Sequence, residues 1–367
     1  MRPSTSRADK RTDLKRILVF RIGNLGDTLV ALPAFAALRA AFPDAKLTLL
    51  TNSDRRNPHY IGAQSVLPVD GLFDGHIDYP SDEQTSLMDR IALLIELRKT
   101  SFDAVVYMMT RNRTPRQISR DKVFFRMAGI KRVLCADHLL RNRLDFEMPR
   151  PLPKVQSESE FLLESLAAEG LTDSQLTPAP MRVFTQKDST IAENWLRRNC
   201  GEAFVGRRLV AVAPGSKWPS KIWDESRFRN VIAKLIKTES IFPVIFGGEE
   251  DRAAGSRLIS AWGRGANAAG RLNVREAAAA LGHCRLYLGN DTGTMHLAAA
   301  SGTRCVAMFA AVDFDGRWYP MGNGHKVFRE SVPCEGCSTP TCHNQGLCLD
   351  MISEDSVLEA CLSILRN

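Results

Sequence analysis

The sequence comprises 367 residues with 49 Lys and Arg against 41 Asp and Glu, a formal charge of +8, and nine cysteines. Apolar residues at 44% and charged residues at 25% are ordinary globular values that exclude wholesale disorder, and no apolar run approaches the ~18–20 residues of a membrane span. An odd cysteine count behind a basic, polar N-terminus without a signal-peptide core argues against a disulfide framework and for a cytoplasmic protein. The surplus positive charge favours an anionic partner without choosing among nucleic acid, a membrane surface and a phosphorylated substrate.

In chain order, residues 1–14 read as a disordered basic tail. The apolar run Arg16–Phe20 predicts a strand, followed by a Gly-containing turn, a helix over Thr28–Ala41 in which Pro33 introduces a bend, and a second strand at Lys46–Thr51. Strand, turn, helix and strand at this spacing make a βαβ unit and hence a parallel sheet. Helices are expected at 86–99, 119–128 and 156–169, with a strand at Ala104–Met108 between the first two. Residues 172–186 are polar and Pro-containing and read as a linker. The alternation then restarts: a helix at 188–199, a strand at Leu209–Ala213, a helix at 224–237, a strand at Pro243–Phe246, a helix at 274–281, a strand at Leu286–Gly289, a helix at 293–301, a strand at Cys305–Phe309 and a last helix at 353–365. Two consecutive α/β halves result, and ligands in such sheets bind at the carboxyl ends of strands.

Three strand-end loops carry the candidate chemistry. In Arg21-Ile-Gly-Asn-Leu-Gly-Asp27, two glycines permit a tight turn, and Asp27 is either a helix cap or a carboxylate presented to a ligand. The loop is neither a dinucleotide fingerprint nor a P-loop. In Pro214-Gly-Ser-Lys-Trp-Pro-Ser-Lys-Ile-Trp223, Ser216, Lys217 and Lys221 suit a phosphate, the alternative being a solvated basic loop around a buried Trp223. In Gly289-Asn-Asp-Thr-Gly-Thr-Met-His296, Asp291 or Thr292 caps a small-residue helix. The N–H groups of Thr292, Gly293 and Thr294 then form an anion site, and His296 either contacts the ligand or packs in the core. Glu249, in the turn after Phe246-Gly-Gly, is placed either on ribose hydroxyls or in an ordinary charged turn.

Together these segments resemble glycosyltransferase family 9, the ADP-heptose:lipopolysaccharide heptosyltransferases, over most of residues 16–362. The resemblance is carried by R-x-G-x-x-G-D with Pro33 and Phe42-Pro43, P-G-S-K-W-P-S-K-I-W, the F-G-G turn, Asn290-Asp-Thr-Gly with His296, and the cysteine-rich tail. It implies a GT-B fold: two Rossmann-like, doubly wound parallel-sheet domains facing a cleft. The first, 15–178, takes the acceptor and the second, 187–350, the nucleotide-sugar, with the helix in 351–367 expected to pack back on the first domain. Carried over, Asp27 is the general base, Ser216 and Lys221 contact the donor phosphates, and Asp291, Thr292 and Gly293 form the donor loop. Gly23 and Asn24 fall on the acceptor side. The implied reaction is an inverting transfer of heptose from ADP-heptose to an inner-core lipopolysaccharide acceptor, with no cofactor needed for catalysis. The alternatives are another nucleotide-sugar on the same fold and, from a different class, a basic nucleic-acid-binding protein. The last is disfavoured because the bulk of the chain is doubly wound α/β.

Two features stand apart. Between Arg111 and Arg143 there are ten Lys and Arg against two acids. This run is either a solvated face or, with Arg111, Arg113, Arg116 and Arg120, the binding edge for an anionic lipid-linked oligosaccharide and a peripheral contact with the inner membrane. The second is Cys334-x2-Cys337-x4-Cys342-x5-Cys348, for which a structural Zn or Fe site, packed thiols and disulfides are the competing readings.

Overall fold

The computed structural model describes residues 13–54, 60–68, 71–80, 86–173, 176–206 and 208–366. Most of the expected basic tail, residues 1–12, lies outside them. The chain divides into two compact units, 1–145 with 158–178, and 146–157 with 179–367.

The first unit contains β1 (Arg16–Phe20), α1 (Leu25–Ala41), β2 (Lys46–Ser53), β3 (Gly75–Pro80), α2 (Leu87–Thr100), β4 (Ala104–Tyr107), α3 (Pro115–Met127), β5 (Arg132–Leu134), α4 (Ala136–Arg141) and α5 (Glu158–Ala168). Its five strands are all parallel, in the order β3-β2-β1-β4-β5. In register, Phe20 of β1 stands between Leu50 of β2 and Tyr107 of β4. The strand order reverses beside β1, so the loop after Phe20 opens at the switch point where such sheets bind ligands. The central strands β1 and β4 are buried apolar runs, as expected where a sheet is covered on both faces, whereas the edge strands β3 and β5 are only partly buried.

The second unit contains α6 (Gln186–Cys200), α7 (Glu202–Val205), β6 (Leu209–Ala213), α8 (Glu225–Glu239), β7 (Phe242–Ile245), α9 (Arg252–Trp262), β8 (Ala266–Asn267), α10 (Val274–Leu281), β9 (Leu286–Asn290), α11 (Gly293–Ala300), β10 (Cys305–Met308), β11 (Lys326–Phe328), α12 (Leu347–Asp350) and α13 (Glu354–Leu365). Its parallel strands run β11-β10-β9-β6-β7-β8. Counted within the unit this is the 3-2-1-4-5-6 order of a doubly wound dinucleotide-type sheet. The first unit repeats it without a sixth strand among the described residues. Ala213 of β6 pairs with Gly289 of β9 and Val212 with Ile245 of β7, so the loops after these three strands emerge side by side.

Strands β3, β5, β8 and β11 lie outside the set of elements expected from the sequence, and the structure differs from the expectations elsewhere too. Helix α1 begins at Leu25, three residues before the expected start at Thr28, and includes the buried Pro33. Residues 252–262, for which no element was expected, form α9, with only Gly255 and Leu258 buried. Helix α13 packs against α8, β9 and β10 of its own unit, burying Val357, Cys361 and Ile364 in that unit's core. Among the described residues, no helix is long and apolar enough to cross a membrane.

Candidate active site

In the first unit, the loop after β1 is organised around Asp27. Helix α1 takes Asn24 as its N-cap, which places Asp27 at the third helical position rather than at the cap. Its carboxylate reaches back to accept the Asn24 N–H at 2.8 Å, the return arm of a capping box. Arg21, fully buried beneath the loop, donates to the Asp27 carbonyl at 2.8 and 3.2 Å and to the Met108 carbonyl at 2.9 Å. Its guanidinium lies 3.7 Å from the Asp27 carboxylate. Gly23 is required by contact: a Cβ there would collide with the Asp27 side chain. The Gly23 N–H donates to Asn52 Oδ1 at 2.8 Å, and the Tyr60 hydroxyl donates to the Gly23 carbonyl at 3.1 Å. Burial, reinforced by Asp27, Asp54 and Asp78, pushes the Tyr60 phenol up to about 12, so it remains a neutral donor. Asp27 itself is partly exposed. The result is a carboxylate fixed by a backbone amide and open to a ligand.

The four expected acceptor arginines separate. Arg111 is buried, its Nε 3.0 Å from Glu158 Oε2 and its guanidinium stacked over Phe161; its cation is engaged inside the unit rather than at an edge. Arg113 and Arg120 gather on Asp121, at 3.6 and 3.0 Å, where the buried Tyr107 hydroxyl also donates to the carboxylate at 2.8 Å. Arg116 is exposed on α3.

In the second unit, three loops converge through side-chain bonds. Lys221 Nζ meets Asp291 Oδ2 at 2.6 Å and lies over the Trp218 ring at 5.3 Å. Asn290, fully buried, donates to the Pro214 carbonyl at 2.7 Å and accepts the Trp223 N–H at 3.0 Å, tying the end of β9 to the loop after β6. Thr292 is the N-cap of α11, so Gly293 and Thr294 occupy its first two positions, where N–H groups have no partner within the helix. These three residues are only half-buried, whereas the helix from Met295 onward is buried. Ser216 Oγ accepts the Trp218 N–H at 3.3 Å, and Lys217 is exposed. The Glu249 side chain pairs with Arg252 in the turn after Gly248. His296 is buried edge-on to Trp318, whose Nε1 donates to Asp313 at 2.9 Å; the same carboxylate binds the buried Arg317 at 3.0 Å.

Two participants were not singled out from the sequence. Asp251 packs its carboxylate against Gly215 and Gly247, where any side chain would collide with it, and accepts the Gly248 N–H at 2.9 Å; burial pushes its carboxyl up. The glycines flanking both loops were the available signal. Ser220, buried in the turn before Lys221, donates to the carbonyls of Thr339 at 2.6 Å and Pro340 at 3.0 Å. The cysteine-rich segment therefore braces the lysine loop.

That segment contains free thiols throughout. Cys342 Sγ accepts the N–H groups of Asn344 and Gly346 at 3.3 and 3.2 Å, and Cys348 Sγ accepts that of Ala311 at 3.4 Å. Among the described residues, no group of three or more His, Cys, Asp or Glu side chains is arranged to hold a metal ion.

Residues 138–348 match the family model of glycosyltransferase family 9 (heptosyltransferase). The chain belongs to glycosyltransferase family 9. Lipopolysaccharide heptosyltransferase 3 of Escherichia coli is 23% identical over 310 residues, 81% of this chain and 84% of that protein. Lipopolysaccharide heptosyltransferase 2 of Salmonella typhimurium is 31% identical over 111 residues, 28% and 31% of the two chains. In fold, the chain resembles the family 9 glycosyltransferase of Veillonella parvula, with a TM-score of 0.72 at 20% identity over 96% of this chain and 97% of that one. It also resembles the E. coli ADP-heptose heptosyltransferase II, at 0.65 and 20% over 96% and 98%. The two parallel-sheet units are those of a GT-B glycosyltransferase, and each carries its own candidate constellation, Asp27 in the first and Lys221–Asp291 in the second.

Proposed function

We propose that this glycosyltransferase moves a heptose from ADP-heptose to the inner core of lipopolysaccharide, with inversion at the anomeric carbon, on the cytoplasmic side of the membrane. The observation that carries the reading is the junction of Lys221, Asp291 and the open start of α11. It presents a cation and helix amides in one place, which is what a departing diphosphate requires. The transferred heptose and the lipopolysaccharide acceptor follow the names of the relatives, which are lipopolysaccharide heptosyltransferases, and the ADP carrier follows the name of the E. coli structural neighbour.

The proton is handled on the other unit. Asp27 accepts the proton of the acceptor hydroxyl as its oxygen bonds to the anomeric carbon and the bond to ADP breaks. The Asn24 N–H holds one carboxylate oxygen, and Gly23 leaves space for the carboxylate to lie against the loop. Lys221 and the amides of Gly293 and Thr294 receive the negative charge that develops on the diphosphate. Because these groups supply the charge a divalent ion would supply, turnover is expected to persist in excess chelator.

A panel of nucleotide-sugars tests the donor, with ADP-heptose expected to be turned over fastest. NMR of the product tests the stereochemistry, with the anomeric configuration opposite to that of the donor expected. A faster reaction with another nucleotide-sugar would replace the donor assignment, and a retained configuration would exclude Asp27 acting as base in a single displacement.

A further inference from the structure

Helix α2 is apolar on two opposite sides. Leu93 and Leu97 are buried in the core of the first unit. On the opposite side, Leu87, Ile91 and Ile95 recur at four-residue spacing and share one stripe with Met88. They are 72%, 40%, 47% and 71% exposed. A surface helix ordinarily turns polar residues outward. A contiguous apolar stripe on that face marks an interaction surface, unlike scattered single residues.

The neighbouring helix extends this surface. Helix α2 joins β3 to β4 and α3 joins β4 to β5, two crossovers in the same direction across the sheet. Right-handed connections therefore place both helices on one face, where they pack together. The outward side of α3 carries Val123 and Met127, 52% and 56% exposed, among Arg116, Arg120 and Arg126. Its one acid, Asp121, is buried beneath. The two helices hold seven Lys and Arg against three Asp and Glu. Of the acids of α2, Asp89 is engaged in its own N-terminal capping box.

We infer that the α2–α3 face is a membrane-docking surface that lays an apolar stripe into the interfacial zone of an anionic bilayer while its arginines and lysines meet the headgroups. Helices of 14 and 13 residues are too short to span the hydrocarbon core but suited to lie along it. Charge complementarity selects the occupant. A second copy of this face would bring basic against basic, which opposes association, whereas anionic lipid attracts each Lys or Arg near its surface. The inference concerns the first unit alone and stands independently of the donor and acceptor assigned above.

The test floats the purified full-length protein with vesicles of phosphatidylcholine alone, or mixed with phosphatidylglycerol, in the absence of any substrate. Binding to the mixed vesicles and not to the neutral ones is expected, weakening as salt rises. Ile91→Ser/Ile95→Ser should lower it by about tenfold, from the loss of apolar burial. Arg98→Gln and Lys99→Gln should each lower it by about fivefold. Transfer to a soluble, lipid-free acceptor should be unchanged in all of these, which shows that the variants are folded. Equal binding by wild type and Ile91→Ser/Ile95→Ser would overturn the inference. So would a dimer in solution that the same double variant converts to monomer, because the stripe would then be a protein interface.

Discussion

The loop after β1 and the loops after β6 and β9 occupy the same topological position in two sheets of the same strand order, yet they are built from opposite means. In the first unit a carboxylate is held by a backbone amide, with a buried arginine below it and a glycine giving it room. In the second, a lysine reaches across to a buried aspartate beside a helix N-terminus, and a buried asparagine stitches the loops together. One arrangement suits a proton acceptor; the other suits the neutralisation of a leaving anion. A common scaffold places ligands at its switch point, and the side chains of each loop decide which half of the chemistry is done there.

Substitutions can break that division in order of expected size. Lys221→Met removes the cation and leaves Asp291 buried without it, so kcat should fall by about 100- to 1,000-fold. Lys221→Arg should recover part of the loss; a full rate in Lys221→Met would remove the lysine from the chemistry. Gly23→Ala forces the Asp27 carboxylate to move, and kcat should drop by roughly 100-fold with the melting temperature little changed. A KM effect on the donor from the same substitution would blur the two halves. Ser220→Ala severs the bond to the Thr339 carbonyl. It should cost about 1 kcal/mol of stability and raise the donor KM severalfold, while leaving acceptor KM alone.

The smallest effect is one of stability. His325 Nδ1 accepts the Cys305 N–H at 3.0 Å, and burial lowers its pKa from the ordinary 6.5. The folded state thus resists a proton that the unfolded state binds. The neutral ring's contribution is complete above pH 6.5 and is lost as pH falls below it. Unfolding curves at pH 7.5 and 5.5 should therefore lie closer together in His325→Gln than in wild type.

The parallel character of the two sheets and the strand-end loops were legible in the sequence because buried central strands read as short apolar runs and their glycine-rich ends punctuate them. The edge strands β3, β5, β8 and β11 are too short or too polar to give that signal. Asp27, Lys221 and Asp291 stood at those ends. What the sequence hid depended on pairing at a distance. Arg111 reads as one more cation in a basic run, and only the approach of Glu158, 47 residues away, buries it. Asp251 looked like part of an acidic turn until Gly215 and Gly247 were seen to make room for its carboxylate. The brace from the cysteine segment joins Ser220 to a residue 119 positions later, beyond any local pattern. The apolar outer stripe of α2 was masked for another reason: a helix apolar on two sides has no clear inward face in its sequence.

The measurement that bears most directly on the division between the units is Asp27→Asn assayed for ADP binding by calorimetry and for heptose transfer in the same preparation. The carboxamide keeps the size of the side chain and removes its ability to accept the proton. Unchanged ADP affinity with transfer reduced by about 100- to 10,000-fold is the expected result. Transfer at the wild-type rate would contradict the assignment of the base, and a matching loss of ADP affinity would contradict the separation of the two halves.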